Sequence, residues 1–126
     1  MAFGDVGGPI TVMVVTCKSK DNGTVAIQKG DAVKLTGPFE VDAVEEADGP
    51  LFGQAMADMD AHGQALPVKV RGVCAFQYAG QAPEVDGESG VVLAAEAGKV
   101  TKPVTGTGHG VALRVDTARQ RVFVLL

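Results

Sequence analysis

A chain of 126 residues fits one domain and is long enough to bury about two thirds of its unfolded surface without disulfides or metal. Hydrophobic residues at 46% and charged residues at 21% describe a globular protein, and a net charge of −4 with scattered Lys and Arg excludes a basic nucleic-acid face. The first residues lack the basic leader of a signal peptide, and no stretch approaches the ~20 apolar residues that span a bilayer, so neither secretion nor membrane insertion is expected.

Residues 1–9 (MAFGDVGGP) read as an extended arm, because Gly7, Gly8 and Pro9 cannot continue a helix. Residues 10–17 (ITVMVVTC) are dense in β-branched side chains and predict a strand. Asn22-Gly23 supplies the positive φ values of a tight hairpin, and residues 25–28 form a short strand behind it. Val33 and Leu35 then alternate with Lys34 and Thr36, and Phe39 and Val41 with Glu40 and Asp42, with Gly37-Pro38 breaking between the two strands. The acidic stretch 42–48 (DAVEEAD) is a helical turn or a polar loop whose role is solvation.

The clearest period of two runs from residue 68 to 78. Val68, Val70, Gly72, Cys74, Phe76 and Tyr78 share one face of a single predicted strand. Residues 111–116 alternate likewise. The last strand, 121–126, is apolar on both faces, with Phe123 and Leu125 on one of them, so it is central in a sheet or buried against a partner. No window carries a helical period. The fold class is therefore all-β: one small β-barrel or β-tulip-like domain over residues 10–126, with the arm at 1–9.

Phe52-Gly53-Gln54-Ala55-Met56 echoes His109-Gly110-Val111-Ala112-Leu113, and each is followed by a valine-alternating strand. Two such halves closing on each other would make a barrel with few exposed edges.

Candidate chemistry is thin. Asp58, Asp60 and His62 lie close together, but they lack the further ligands and spacing of a metal site, and a solvated hairpin tip ending at Gly63 accounts for them. Residues 105–110 (TGTGHG) resemble a phosphate cradle, yet they run into a strand where a phosphate loop opens a helix. Glu45, Glu46 and Asp48 have no aromatic sugar platform beside them. Cys17 and Cys74 sit in apolar runs and read as buried free thiols, although the sequence leaves a disulfide open. No catalytic residues, cofactor or metal are expected. The arm, by contrast, carries apolar anchors at Phe3, Val6 and Ile10 and few charges. It suits strand addition to a neighbouring sheet.

Gly4-Asp5-Val6-Gly7-Gly8-Pro9, Gly30-Asp31-Ala32-Val33 and Leu35-Thr36-Gly37-Pro38-Phe39-Glu40-Val41 resemble the small capsid decoration (cement) proteins of tailed bacteriophages. The likeness continues through Pro50-Leu51-Phe52-Gly53-Gln54-Ala55, Val70-Arg71-Gly72-Val73, Gly98-Lys99-Val100-Thr101, residues 108–113 and the terminal strand. These are turn and strand patterns, not a chemical signature. The resemblance implies a homodimer or homotrimer on the outer capsid surface of the virion, made in the bacterial host cytoplasm and bridging copies of the major capsid protein. Its implied interface residues are Phe3, Asp5, Val6, Pro9, Ile10, Val12, Phe123 and Leu125. A small barrel binding a ligand or glycan on a phage particle is the alternative, and a minor hydrolase stands behind it; nucleic acid and membrane are not expected as partners.

Overall fold

β-Branched and aromatic runs set where the strands form, and glycines set where they turn or cross. The computed structural model describes residues 12–20, 26–43, 48–59, 61, 63–104 and 106–126. It is all-β, with no helix among those residues. The arm at 1–9, residues 10 and 11 of the first predicted strand and the Asn22-Gly23 turn lie outside them.

Five strands close a barrel: β1 (Met13–Ser19), β2 (Ala32–Gly37), β3 (Glu40–Asp42), β4 (Gly53–Ala55) and β5 (Ala65–Arg71), in the order β1-β3-β2-β4-β5. A barrel this small has no lumen. Its interior is filled by Cys17, Ile27, Val33, Val41, Ala55, Met59, Leu66 and Val68. β1 begins at Met13, and of the expected strand at 25–28, residue 25 lies outside the described residues while Ile27 forms a single bridge with Met59.

The barrel closes within the first part of the chain, so the expected closure of two related halves on each other is corrected. The rest builds a separate three-stranded sheet, β6 (Val73–Gln77), β10 (Arg121–Leu125) and β9 (Val111–Asp116), ordered β6-β10-β9, and a small hairpin of β7 (Val92–Leu93) and β8 (Val100–Thr101). Cys74, Phe76, Tyr78, Val91, Leu93, Val100, Val122 and Val124 form its core. β10 is central in this sheet, one of the two places its sequence allowed.

The run 68–78 is two strands, not one. Gly72, at φ 117°, lets the chain leave the barrel as β5 and enter the second sheet as β6. The face assignment survives the crossing: Val68 points into the barrel core, Cys74, Phe76 and Tyr78 into the other.

The echo between 52–56 and 109–113 has a physical counterpart. Ala55 pairs with Val68 and Ala112 with Val124, all four buried. A Cβ on Gly53 would meet the Lys69 carbonyl at 2.6 Å and Val68 Cγ1 at 2.7 Å, and one on Gly110 would meet the Leu125 carbonyl at 2.7 Å and Val124 Cγ1 at 2.9 Å. In both places a glycine lets its strand ride against the same two positions of the partner.

The acidic stretch is not uniformly solvated. Asp42 is buried, opposite Lys34 in the β2–β3 ladder, with Oδ1 accepting from the Ala43 amide at 2.9 Å. Asp48 is exposed and accepts from the Val104 amide at 3.1 Å, and residues 44–47 lie outside the described set. In the glycine run 105–110, of which residue 105 lies outside the described residues, Gly108 donates to the Ser89 carbonyl at 2.6 Å, and Val91 and His109 exchange both backbone hydrogen bonds.

The nearby exposed loop is held by Asp86, which accepts from the amides of Glu88 at 3.0 Å and Ser89 at 2.9 Å and from the Ser89 hydroxyl. The Ser89 hydroxyl and the two amides pull its pKa down from the ordinary 3.8 to about 2. A depressed carboxylate stabilises its folded contacts fully above its ordinary value and loses them as pH falls through the depressed one. The Ser89 amide resonance is thus expected to report Asp86 by moving with a midpoint of about 2. In an Asp86→Asn variant that transition is absent.

Candidate docking surface

Strand β1 pairs along its length with β5, from Met13 opposite Arg71 to Lys18 opposite Ala65. On its other side it meets β3 only through Lys18 opposite Glu40 and Ser19 opposite Val41. Among the described residues, no strand pairs with that second edge along residues 13–17. A barrel normally removes its edges. Here one is left partly open, because β3 is only three residues long.

That edge is apolar. Val12, Met13 and Val14 are exposed at 43–48%, and the β2–β3 hairpin at its end adds Leu35 and Phe39. Phe39 is the most exposed of these, at 68%. It follows Pro38 in the turn and sits at φ 51°, a left-handed conformation in which a bulky side chain is a genuine outlier. Holding it there costs on the order of 1–3 kcal/mol. The local structure that imposes it is visible. Phe39 O accepts from the Lys18 amide at 2.8 Å, while Thr36 Oγ1 donates to the Glu40 carbonyl at 3.3 Å and shares a hydrogen bond of 3.0 Å with Glu40 Oε1. The turn is thus pinned on both sides with a phenyl ring directed away from either core.

The far end of β1 meets the end of the chain. Met13 is opposite Arg71, the next carbonyl, Gly72, accepts from the Leu126 amide at 3.0 Å, and Leu125 pairs with both Val73 and Val111. Of the residues the sequence singles out, the structure therefore brings Val12 and Leu125 to one corner. Leu125 is exposed at 45%, and Phe123, two residues back on the same face of β10, is half-buried. Phe3, Asp5, Val6, Pro9 and Ile10 lie outside the described residues. Leu35 and Phe39 read in the sequence as members of ordinary alternating strands, and their exposure emerges only in the folded hairpin. The available signal was the large aromatic directly after Gly37-Pro38, in a turn that usually takes a small residue.

Neither thiol lies on this surface. Cys17 is buried in the barrel and Cys74 in the second core, both as free cysteines. Burial pushes both thiols up from their ordinary range, with Lys69 pulling Cys74 part of the way back. Protonated and enclosed, they are poor nucleophiles. Of the acidic cluster at 58–62, Asp58 Oδ1 accepts from the Lys29 amide at 2.8 Å, while Asp60 and His62 lie outside the described residues.

Against known proteins, no family model matches the chain and no curated relative is similar to it.

Proposed function

We propose that this protein is a capsid decoration protein that docks, as a homodimer or homotrimer, on the outer surface of a tailed-phage head and stabilises contacts between major capsid proteins. The observation that carries the reading is the open, apolar edge of β1 at the root of residues 1–11. An exposed strand edge flanked by large apolar side chains favours association through main-chain hydrogen bonds. The strained, exposed Phe39 adds an anchor of the kind that contributes most to interfaces. A protein that binds the assembled lattice but not free subunits stabilises the assembly by mass action. An oligomer engaging several lattice sites gains avidity without any single strong contact. The resemblance of the glycine-spaced strands to decoration proteins names the lattice.

The experiment is co-sedimentation with expanded heads assembled from the major capsid protein encoded in the same genome. The full chain is expected to pellet with the heads in stoichiometric amounts. Deleting residues 1–9, or replacing Phe39 with Asp, is expected to weaken that binding about tenfold or more, the scale of one lost anchor residue, with circular dichroism unchanged. Failure of the full chain to bind such heads overturns the reading, and undiminished binding of both variants removes this surface from it.

A further inference from the structure

A cleft of roughly 460 Å³ is lined by residues of both the barrel and the second sheet. Its barrel wall carries Lys29, Asp31, Gln54 and Lys69, and its sheet wall Gln77 and Arg121. Two of these side chains join the walls. Gln54 Nε2 donates to the Gly30 carbonyl at 3.2 Å and to the Ala75 carbonyl at 2.8 Å, and Lys69 Nζ donates to the Val73 carbonyl at 2.7 Å. β6 is an edge strand of its sheet, so these donors satisfy carbonyls that a neighbouring strand would otherwise take. The cleft is therefore fixed in shape before any ligand arrives.

Its charge is opposite to that of the protein. The chain carries −4 overall, yet the lining has three cations, Lys29, Lys69 and Arg121, against one carboxylate, Asp31. That carboxylate is already committed to the fold: Oδ2 accepts from the Gln28 amide at 3.0 Å. It also lies so close to Gly98 that a Cβ there would meet its Cγ at 2.6 Å. Asp58, held on the Lys29 amide, sits at that end of the cleft as well. At the other end, no described carboxylate pairs with Lys69 or Arg121. The Lys69 ammonium spends one of its three donors on Val73 and keeps two. Arg121 stands opposite Gln77 in the ladder and contributes a planar fork suited to a carboxylate or phosphate. A half-buried cation held only by a carbonyl gains most from an anionic partner.

We propose that this cleft binds a small polar anion, through a carboxylate or phosphate group held by Lys69 and Arg121 with the side-chain amide of Gln77 against its polar body. The volume is that of a small-molecule site, and the inference is independent of capsid docking, since it concerns the isolated protein. The test is an amide-resonance titration of the purified full chain at low ionic strength with succinate, inorganic phosphate and glucose. Saturable shifts at Lys69, Ala75 and Gln77 are expected with at least one of the two anions and not with glucose, and the better anion identifies the acidic group. In Arg121→Gln, whose side chain is exposed and whose change leaves the β10 ladder intact, the apparent Kd is expected to rise about tenfold, the scale of one charge-assisted contact. Added salt is expected to weaken the same titration. The absence of saturable shifts with both anions overturns the proposal. So do equal shifts with glucose, or an unchanged Kd in Arg121→Gln.

Discussion

Phe76→Ala is expected to lower the free energy of unfolding by about 3–5 kcal/mol, read as a fall in the urea midpoint with an unchanged slope. Phe76 has no exposed surface and is the largest of the fully buried side chains. It sits on β6 among Cys74, Tyr78, Val91, Leu93, Val122 and Val124, which come from several separate segments of the chain. Removing the ring leaves a cavity that these neighbours cannot fill without breaking the β6–β10 ladder, in which Phe76 stands opposite Val122. Against a typical total of about 5–15 kcal/mol, that is a large fraction. A loss below about 1 kcal/mol would mean that the second sheet contributes little to the folded state.

The second large effect is expected at Gly108, where alanine should cost about 3 kcal/mol or more. A Cβ there would lie 2.3 Å from the Val91 carbonyl oxygen, 2.6 Å from its carbon and 2.8 Å from its nitrogen. All three are backbone atoms, so no side chain can swing aside. The two segments would have to separate, losing the Gly108 hydrogen bond to Ser89 and the reciprocal pair between Val91 and His109. The contrasting control is Gly106→Ala, where nothing stands within 4 Å of the new Cβ; it isolates the left-handed backbone cost at φ 69°, about 1 kcal/mol. Denaturant melts of the two variants separate close packing from backbone conformation, and similar small losses in both would contradict the packing role of Gly108.

These expectations also mark what a sequence can reveal. Alternation assigned the faces of residues 68–78 correctly because a glycine crossing preserves the order of faces. It did not reveal the crossing, since Val68 and Phe76 look alike in one dimension while serving different cores. Barrel closure within the first part of the chain depends on β1 meeting β3 and β5, long-range pairings that local patterning does not encode. Asp42 read as solvated by its acidic neighbours, yet the ladder sets it inside, opposite Lys34. At the docking surface, Val12 was legible from the apolar run that contains it. Phe39 was legible only as a large aromatic directly after Gly37-Pro38; its exposure itself follows from a left-handed turn and a pinned Glu40. The polar cleft was illegible altogether: Asp31, Gln54, Lys69, Gly98 and Arg121 come from separate segments and converge only in the folded chain.

The central claim is that the open edge of β1 is the docking edge, and hydrogen exchange on the head-bound protein tests it most directly. Amides at residues 13–16 and at the 35–39 hairpin are expected to exchange more slowly in the bound than in the free protein, because an added strand protects an edge with which no described strand pairs. The exposed loop around Asp86 serves as the internal reference and is expected to exchange equally in both. Protection confined to other surfaces, with residues 13–16 unchanged on binding, would contradict the account.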